Sequence, residues 1–415
     1  MFSEKEFKNP DAIWRGAPFW SWNDKLDEKE IIWQIRSMKK AGLGGFFMHA
    51  RVGLITPYLG KEWMNMIKTA VKEAKKQKMY AYLYDEDKWP SGFAGGLVPA
   101  KNPDFRQKYL VYLEREENIA DLKLIKKLKI KDQDYYFYLR TCPSGNTWFN
   151  GYSYVDLLNP DVTDEFIRTT YDAYKKVCGK EFSKVVPAIF TDEPSIGHYS
   201  GESYRFILPW TDDFPNYFKR KNGFNILNHL PSLFFKVDDY KKIRHAYWKA
   251  VTEMFVSNFT KRIYMWCEKN NLPFTGHFMC EDTFSSQIHW IGSAMPHYKY
   301  MQWPGVDHLG WHIHGVNHPP LHLTMKQVSS VAHQFGKQRV LCELYGVSGW
   351  DLTFEGQKWI GDWEYVLGVN LRCQHLALYS LRGCRKRDYP PSINYQQRWW
   401  KYYPKVENYF ARLGY

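Results

Sequence analysis

The feature that most constrains this chain is a repeat: short apolar runs alternate with amphipathic helical stretches almost from end to end. Alternation of this kind marks a parallel sheet with crossover helices. The first run, Ala17–Trp22, is followed by Asp27 as a helix cap and a helix over Glu28–Lys40. Ile31, Ile35 and Met38 recur there at helical spacing before Gly42 ends it. A strand over Gly45–Ala50, a helix over Lys61–Lys76 and a strand over Met79–Tyr84 continue the pattern. Further strands are predicted at Val185–Phe190, Pro273–Met279, Met301–Val306, Arg339–Cys342 and Gln374–Leu381. Helices are predicted from Asn159-Pro160 to Val177, within Asp212–Asn270, and at Thr324–Phe335, Glu355–Leu367 and Tyr395–Arg412. Eight such strands close into one barrel with no free edge, so the expected fold is an α/β (β/α)₈ TIM barrel, one domain over 1–415.

The alternation breaks once. Between 97 and 157 the strand-like runs Tyr109–Glu114, Leu122–Ile130 and Tyr135–Leu139 predict a β-rich subdomain inserted after the third strand. An open doubly wound sheet would instead want a phosphate loop early in the chain. Gly92-Phe93-Ala94-Gly95-Gly96 is the nearest candidate, and it has neither the dinucleotide nor the P-loop spacing.

The formal charge is +13, yet the basic residues are scattered. The densest stretch, Asp121–Lys131, alternates lysine with Leu and Ile, as a solvated strand face does, so nucleic acid is not expected as a partner. No run of 18 apolar residues exists to span a membrane. Met1–Pro10 lacks a signal-peptide core, and the seven cysteines are odd in number with no C-x-x-C pair. As given, the chain reads as cytoplasmic with reduced thiols. Aromatic residues reach 18%. Such a content suits either a ring-rich core or a cleft in which sugar faces stack on Trp and Tyr.

In this fold the site forms where strands end. The predicted ends carry Trp20 and Trp22; His49 and Arg51; Asp85, Glu86 and Trp89; Asp192 and Glu193; His277, Glu281 and Asp282; Asp307 and His308; Glu343 and Tyr345. That ring is acidic and aromatic on a basic chain. Glycoside hydrolysis needs such a set: one carboxylic acid to protonate the leaving oxygen, and a second carboxylate to activate water or attack the sugar. Crowded carboxylates raise one another's pKa and keep one protonated near neutrality. Phe190-Thr191-Asp192-Glu193-Pro194 is the sharpest signal, an apolar strand running into an acidic pair; a solvated loop acid would look similar. Glu343 follows in Leu341-Cys342-Glu343-Leu344-Tyr345-Gly346, then Glu281. Asp85 and Glu86 suit substrate binding or a hard cation. His308, His312, His314, His318 and His322 crowd one segment, but without a zinc-protease helix pattern. Ser91 and Ser348 lie in no G-x-S-x-G.

Three motifs carry a family resemblance. Pro18-Phe19-Trp20-Ser21-Trp22-Asn23, Gly44-Gly45-Phe46-Phe47-Met48-His49-Ala50-Arg51 and Tyr84-Asp85-Glu86-Asp87-Lys88-Trp89-Pro90-Ser91-Gly92 resemble glycoside hydrolase family 106, the α-L-rhamnosidase-like barrels. Thr191-Asp192-Glu193-Pro194 and Cys342-Glu343-Leu344-Tyr345-Gly346 match in type and order. The resemblance implies an inverting mechanism, terminal α-L-rhamnose as substrate, and calcium at the sugar subsite. It makes Glu193 the general acid and Glu343 the base, with Glu281 as its rival; whichever is not the base is the calcium ligand. Trp20, Trp22, His49, Arg51, Asp85, Glu86, Trp89, Asp192, His277, Asp307 and Tyr345 are the substrate-binding candidates. An acidic polysaccharide would suit the basic charge. Family members continue into β-sandwich domains, whereas this chain ends at Leu413-Gly414-Tyr415, as a fragment or a stand-alone barrel. A glycosidase of other specificity and an inert carbohydrate-binding barrel remain the alternatives.

Overall fold

The computed structural model describes residues 3–130, 132–197, 206–313 and 321–415. Its parallel strands fall in two sheet segments. In the first, β1 (Phe19–Trp22), β2 (Gly45–Ala50), β3 (Tyr80–Tyr84), β7 (Ile189–Thr191) and β9 (Phe274–Gly276) pair in sequence order. In the second, β10 (Gly305–Leu309), β11 (Leu341–Gly346) and β12 (Leu371–Gln374) do the same. A backbone hydrogen bond from Trp303 N to Phe274 O joins them between β9 and β10. The last strand is split: β12 pairs with β11, and β13 (Ala377–Leu378) pairs with β1. The ring of strands thereby closes into the (β/α)₈ barrel, which is the fold the alternation predicts.

The predicted strand limits shift at the end of the chain. Strands six and seven run further, to Leu309 and Gly346, and strand eight begins earlier, at Leu371. Parallel buried strands are apolar on both faces, so no alternation marks where they stop. Between β3 and β7, the strands β4 (Lys108–Leu113), β5 (Leu122–Ile130) and β6 (Gln133–Thr141) form an antiparallel sheet. A fourth strand, β8 (Ile207–Pro209), reaches it from beyond β7.

The period-two geometry of strands decides which residue faces where. Ala17, Phe19, Phe47, Tyr82, Tyr84, Ala188, Phe190, Leu341, Leu371 and Cys373 pack together inside the barrel. Phe19 meets Phe47 and Phe190 edge-on at 5.8 and 4.8 Å, so the interior floor is aromatic. Trp20, Trp22, Phe46, Met48, Leu83, Val306, Cys342 and Leu344 face the other way, toward the helices. One step beyond the floor, the same parity brings Asp192, His277, Asp307 and Glu343 to the barrel mouth. They come from four neighbouring strands: Thr191 pairs with Gly276, and Asp307 with Glu343.

At the other end the closing helix, Pro404–Gly414, is tied to the barrel by a buried ion pair. Arg372 Nη2 donates to Glu407 Oε1 at 2.8 Å, and both side chains are fully buried. Gln374 Nε2 and Gly16 N also donate to Glu407, each at 2.9 Å. Among the described residues no helix is long and apolar enough to cross a membrane.

Candidate active site

A cavity of about 230 Å³ opens at the mouth, walled by Arg51, Trp89, Asp192, Glu193, Asp307, Leu309, Glu343, Val347, His375 and Tyr389. Its acidic side is organised around one buried imidazole. His277 Nε2 lies 3.2 Å from Asp192 Oδ1 and 3.0 Å from Glu343 Oε2. Its Nδ1 lies 3.7 Å from Glu281 Oε1. Burial alone would lower the His277 pKa, but the hydrogen bonds to Asp192 and Glu343 win and hold it well above the ordinary imidazole range. Strands four and seven, separated by two strands of the barrel, are thus bridged by an imidazolium.

Glu193 stands at the pocket wall with a left-handed backbone, φ +48°. A glutamate in that region costs roughly 1 kcal/mol, and the conformation turns its side chain toward the cavity after the strand has ended. Burial, then the neighbouring charge of Asp192, raises its carboxyl to about 8. At neutral pH Glu193 therefore carries its proton. Glu343 is raised by burial, and the His277 hydrogen bond works against that rise. Asp307 is pushed well above the carboxylate range by burial and by Glu343, and its Oδ1 is buried with no hydrogen-bond partner. Asp192 is fixed from three sides, by His277, by the Tyr84 hydroxyl at 2.6 Å, and through its own N–H to Ser91 Oγ at 2.8 Å.

The opposite wall is cationic and aromatic. Arg51 forms an ion pair with Asp388 at 2.7 Å, and its guanidinium lies 4.3 Å from the Trp89 ring centre. Trp89 also meets Trp148 at 4.7 Å and Tyr389 at 5.8 Å. Beneath Arg51, His49 Nε2 sits 3.1 Å from Nη1, and the imidazole stacks on Tyr84 at 3.7 Å. His49 therefore supports this wall rather than lining it.

Five further expected binding residues are placed elsewhere. Trp20 and Trp22 are fully buried on the outer face of β1; Trp20 Nε1 donates to Gln34 of the first barrel helix at 2.8 Å. Strand parity makes them packing, not sugar platforms. Asp85 accepts from Ser91 Oγ and Tyr171 OH at 2.6 and 2.7 Å, away from the cavity. Glu86 is taken up by the glycine run after it: Gly92, Ala94 and Gly95 donate their N–H groups at 3.0, 2.7 and 2.6 Å, and Asp87 donates at 2.9 Å. The loop that resembles a phosphate cradle is an anion nest filled by the chain's own carboxylate. Tyr345 has φ +72°, which breaks the parity of β11, and its hydroxyl donates outward to Gln357 O at 3.1 Å.

Glu281 stands behind His277, its second oxygen accepting from Tyr298 OH, and burial raises it to about 7. Asp282 serves the next helix, accepting from Thr283 N and Ser286 Oγ. His308 faces the helices and pairs with Glu364 at 2.7 Å, while His312 and His322 contact Trp359 and Trp363. His314 and His318 lie outside the described residues. His375, Val347, Leu309 and Tyr389 line the cavity without having been expected. Only Tyr389, beside Pro390-Pro391, carries any sequence signal, that of a fixed turn.

A hard cation takes six to eight oxygens. Among the described residues, two groups at the mouth bring ligand atoms within 4.8 Å of one another: Asp192, His277 and Glu343, and Glu193, His277 and Asp307. Glu281 belongs to neither.

The family model described as alpha-L-rhamnosidase, of glycoside hydrolase family 106, matches residues 148–415. That span holds the whole acidic side of the mouth. Among curated proteins there is no match. Among solved structures, a rhamnosidase from Novosphingobium sp. PP1Y superposes with a TM-score of 0.74 at 14% identity, over 100% of this chain and 60% of that one. A β-galactosidase from the psychrophilic Marinomonas ef1 gives 0.56 at 8% identity, over 96% of this chain and 59% of that one. An endo-β-1,4-mannanase from Thermotoga petrophila gives 0.51 at 9%, over 96% and 76%. At such identities the likeness concerns the fold. The chain thus spans 60% of the length of the rhamnosidase it superposes on.

Proposed function

We propose, from the premise that the chain belongs to the α-L-rhamnosidase family, that it hydrolyses terminal α-L-rhamnosides with inversion. The observation that carries this reading is the protonated Glu193 facing a single-sugar cavity opposite Trp89. Glu193 gives its proton to the glycosidic oxygen as the bond to the anomeric carbon breaks. Glu343 takes a proton from the water that attacks that carbon from the other face. Glu343 is preferred to Glu281 as base because it lines the cavity, while Glu281 stands behind His277. His277 fixes Glu343 and favours its charged form, working against burial and the neighbouring charge of Asp192. Trp89 offers the sugar a flat apolar face, and Arg51 stiffens that wall.

The expected calcium fits the carboxylates better than it fits the imidazole. Asp192 and Asp307 would supply oxygens, leaving Glu193 its proton and Glu343 its water, and the buried, unpartnered Asp307 Oδ1 is the atom such an ion would satisfy. On this reading Glu281, expected as a ligand, supports His277 instead. When bound, the ion would orient sugar hydroxyls and offset the crowding of negative charge.

A panel of aryl glycosides tests the reading. The α-L-rhamnoside should be cleaved above all others, and NMR at early times should detect the inverted anomer. Preferential turnover of another glycoside would reassign the sugar; the retained anomer would reassign Glu343. Dialysis against a chelator should lower turnover, and added calcium should restore it.

A further inference from the structure

A second concavity, of about 780 Å³, lies on the outer flank of the barrel and shares no residue with the mouth. It runs between the helix Tyr240–Phe255, with its continuation Lys261–Lys269, and the connection from β9 to β10. Basic residues scattered along the sequence converge in it. Lys221 is matched by Glu253 at 3.3 Å. Arg244, Lys249, Lys261 and Lys299 also line it, and among the described residues no carboxylate pairs with any of the four. Arg244 donates only to the carbonyls of Ser232 and Phe235. Lys261 and Lys299 both lie over the Tyr300 ring, at 5.4 and 5.6 Å. Lys261 and Lys299, both beside the Tyr300 ring, therefore lie within about a Debye length of each other, about 10 Å at 0.1 M salt, and repel unless a counter-charge joins them.

The groove is not a bare cationic stripe. Tyr217, Trp248 and Tyr300 line it as partly exposed rings, and Val256, Ile288 and Pro296 add aliphatic surface. We propose that this groove binds an anionic saccharide chain, its carboxylates meeting the four unmatched cations and its ring faces lying on the aromatic residues. The proposal rests on the glycosidase reading for its choice of polymer: the groove would hold the chain whose terminal sugars the mouth removes. Its volume is more than three times that of the mouth cavity, which suits an oligosaccharide rather than one ring. A single-stranded nucleic acid also combines charge with stacking, and becomes an outcome of the test.

The test is calorimetry on the full chain carrying Glu193→Gln, which blocks cleavage, with a short oligogalacturonide, its methyl-esterified form and a single-stranded oligonucleotide. The oligogalacturonide should bind one to one, and the neutral ester about tenfold more weakly, as expected when close charge contacts are lost. Lys249→Glu with Lys299→Glu should weaken binding by at least about as much, and in the otherwise wild-type chain should leave turnover of a small aryl glycoside unchanged. If that pair lowers the melting temperature, Lys249→Ala with Lys299→Ala replaces it. Equal affinity for the ester, tighter binding of the oligonucleotide, or indifference to both pairs overturns the proposal. Loss of binding in the lysine pair assigns the heat to the groove, so such binding without any glycosidase activity would sink the mouth reading and leave the groove standing.

Discussion

The two ends of this barrel both bury charge, and they do so in opposite ways. At the base, Arg372 and Glu407 balance in charge one for one, and every oxygen of Glu407 has a donor, although Arg372 Nε and Nη1 are buried without an acceptor. Arg372 lays its guanidinium 4.0 Å from the Phe410 ring centre. At the mouth, Asp192, Glu193, Asp307 and Glu343 crowd about one imidazolium, and an oxygen of Asp307 has no partner. A matched pair holds elements together; an unmatched set holds a proton at a pKa that chemistry can use. The difference separates a structural ion pair from a reactive one better than burial does, since both ends are buried.

The largest expected effect falls at the mouth. Glu193→Gln should lower kcat/KM on an aryl rhamnoside by about 10²–10⁴-fold, the usual reach of a general acid, with circular dichroism unchanged. Wild-type turnover in that variant would break the comparison at once. Wild-type activity should also fall as pH rises through about 8, where Glu193 loses its proton.

Next comes the base. Glu407→Ala strands Arg372 and should cost roughly 3–5 kcal/mol in denaturant unfolding. Replacing both partners, Arg372→Leu with Glu407→Met, should recover most of that loss. A double variant as unstable as the single one would mean that the pair does more than balance charge.

A smaller effect separates two tryptophans. Trp89→Ala should raise KM several-fold, by about 0.5–1.5 kcal/mol of lost stacking. Trp20→Phe should leave KM where it is, because Trp20 faces the helices.

The smallest effect concerns stability and has a definite sign. The folded pKa of Glu193 lies above its ordinary 4.5. Its stabilising contribution is full below 4.5 and is lost as pH rises toward about 8. Glu193→Gln should therefore melt slightly higher at neutral pH, on the order of 1–2 °C, and no higher at pH 4. An equal shift at both would remove the protonation argument.

Much of the mouth is legible in the sequence because an apolar strand that runs into an acid needs a reason. Asp192, Glu193, Asp307 and Glu343 are found that way, and His277 by its place at the end of the neighbouring strand. Trp20, Trp22 and Tyr345 are misplaced for one shared reason: nearness to a strand end does not say which face a side chain takes. Phe19 and Phe47 on the interior, and the left-handed turn at Tyr345, decide it. Asp85 and Glu86 are acids at a strand end, but their partners, Tyr171 and the N–H groups of Gly92 to Gly95, lie in segments whose approach no periodicity announces. His375 and Tyr389 come to the mouth through the split last strand, which reads in the sequence as one continuous run.

The loop that carries Trp89 is held at its centre by Glu86, whose carboxylate gathers the backbone donors on either side of the tryptophan. A sugar arriving at this wall meets a surface already in place. Little conformational entropy then has to be given up on binding, and affinity reports the contact itself rather than the cost of assembling it. Rings that differ by one hydroxyl would be told apart by fit against a fixed shape, without the slack that a closing lid allows.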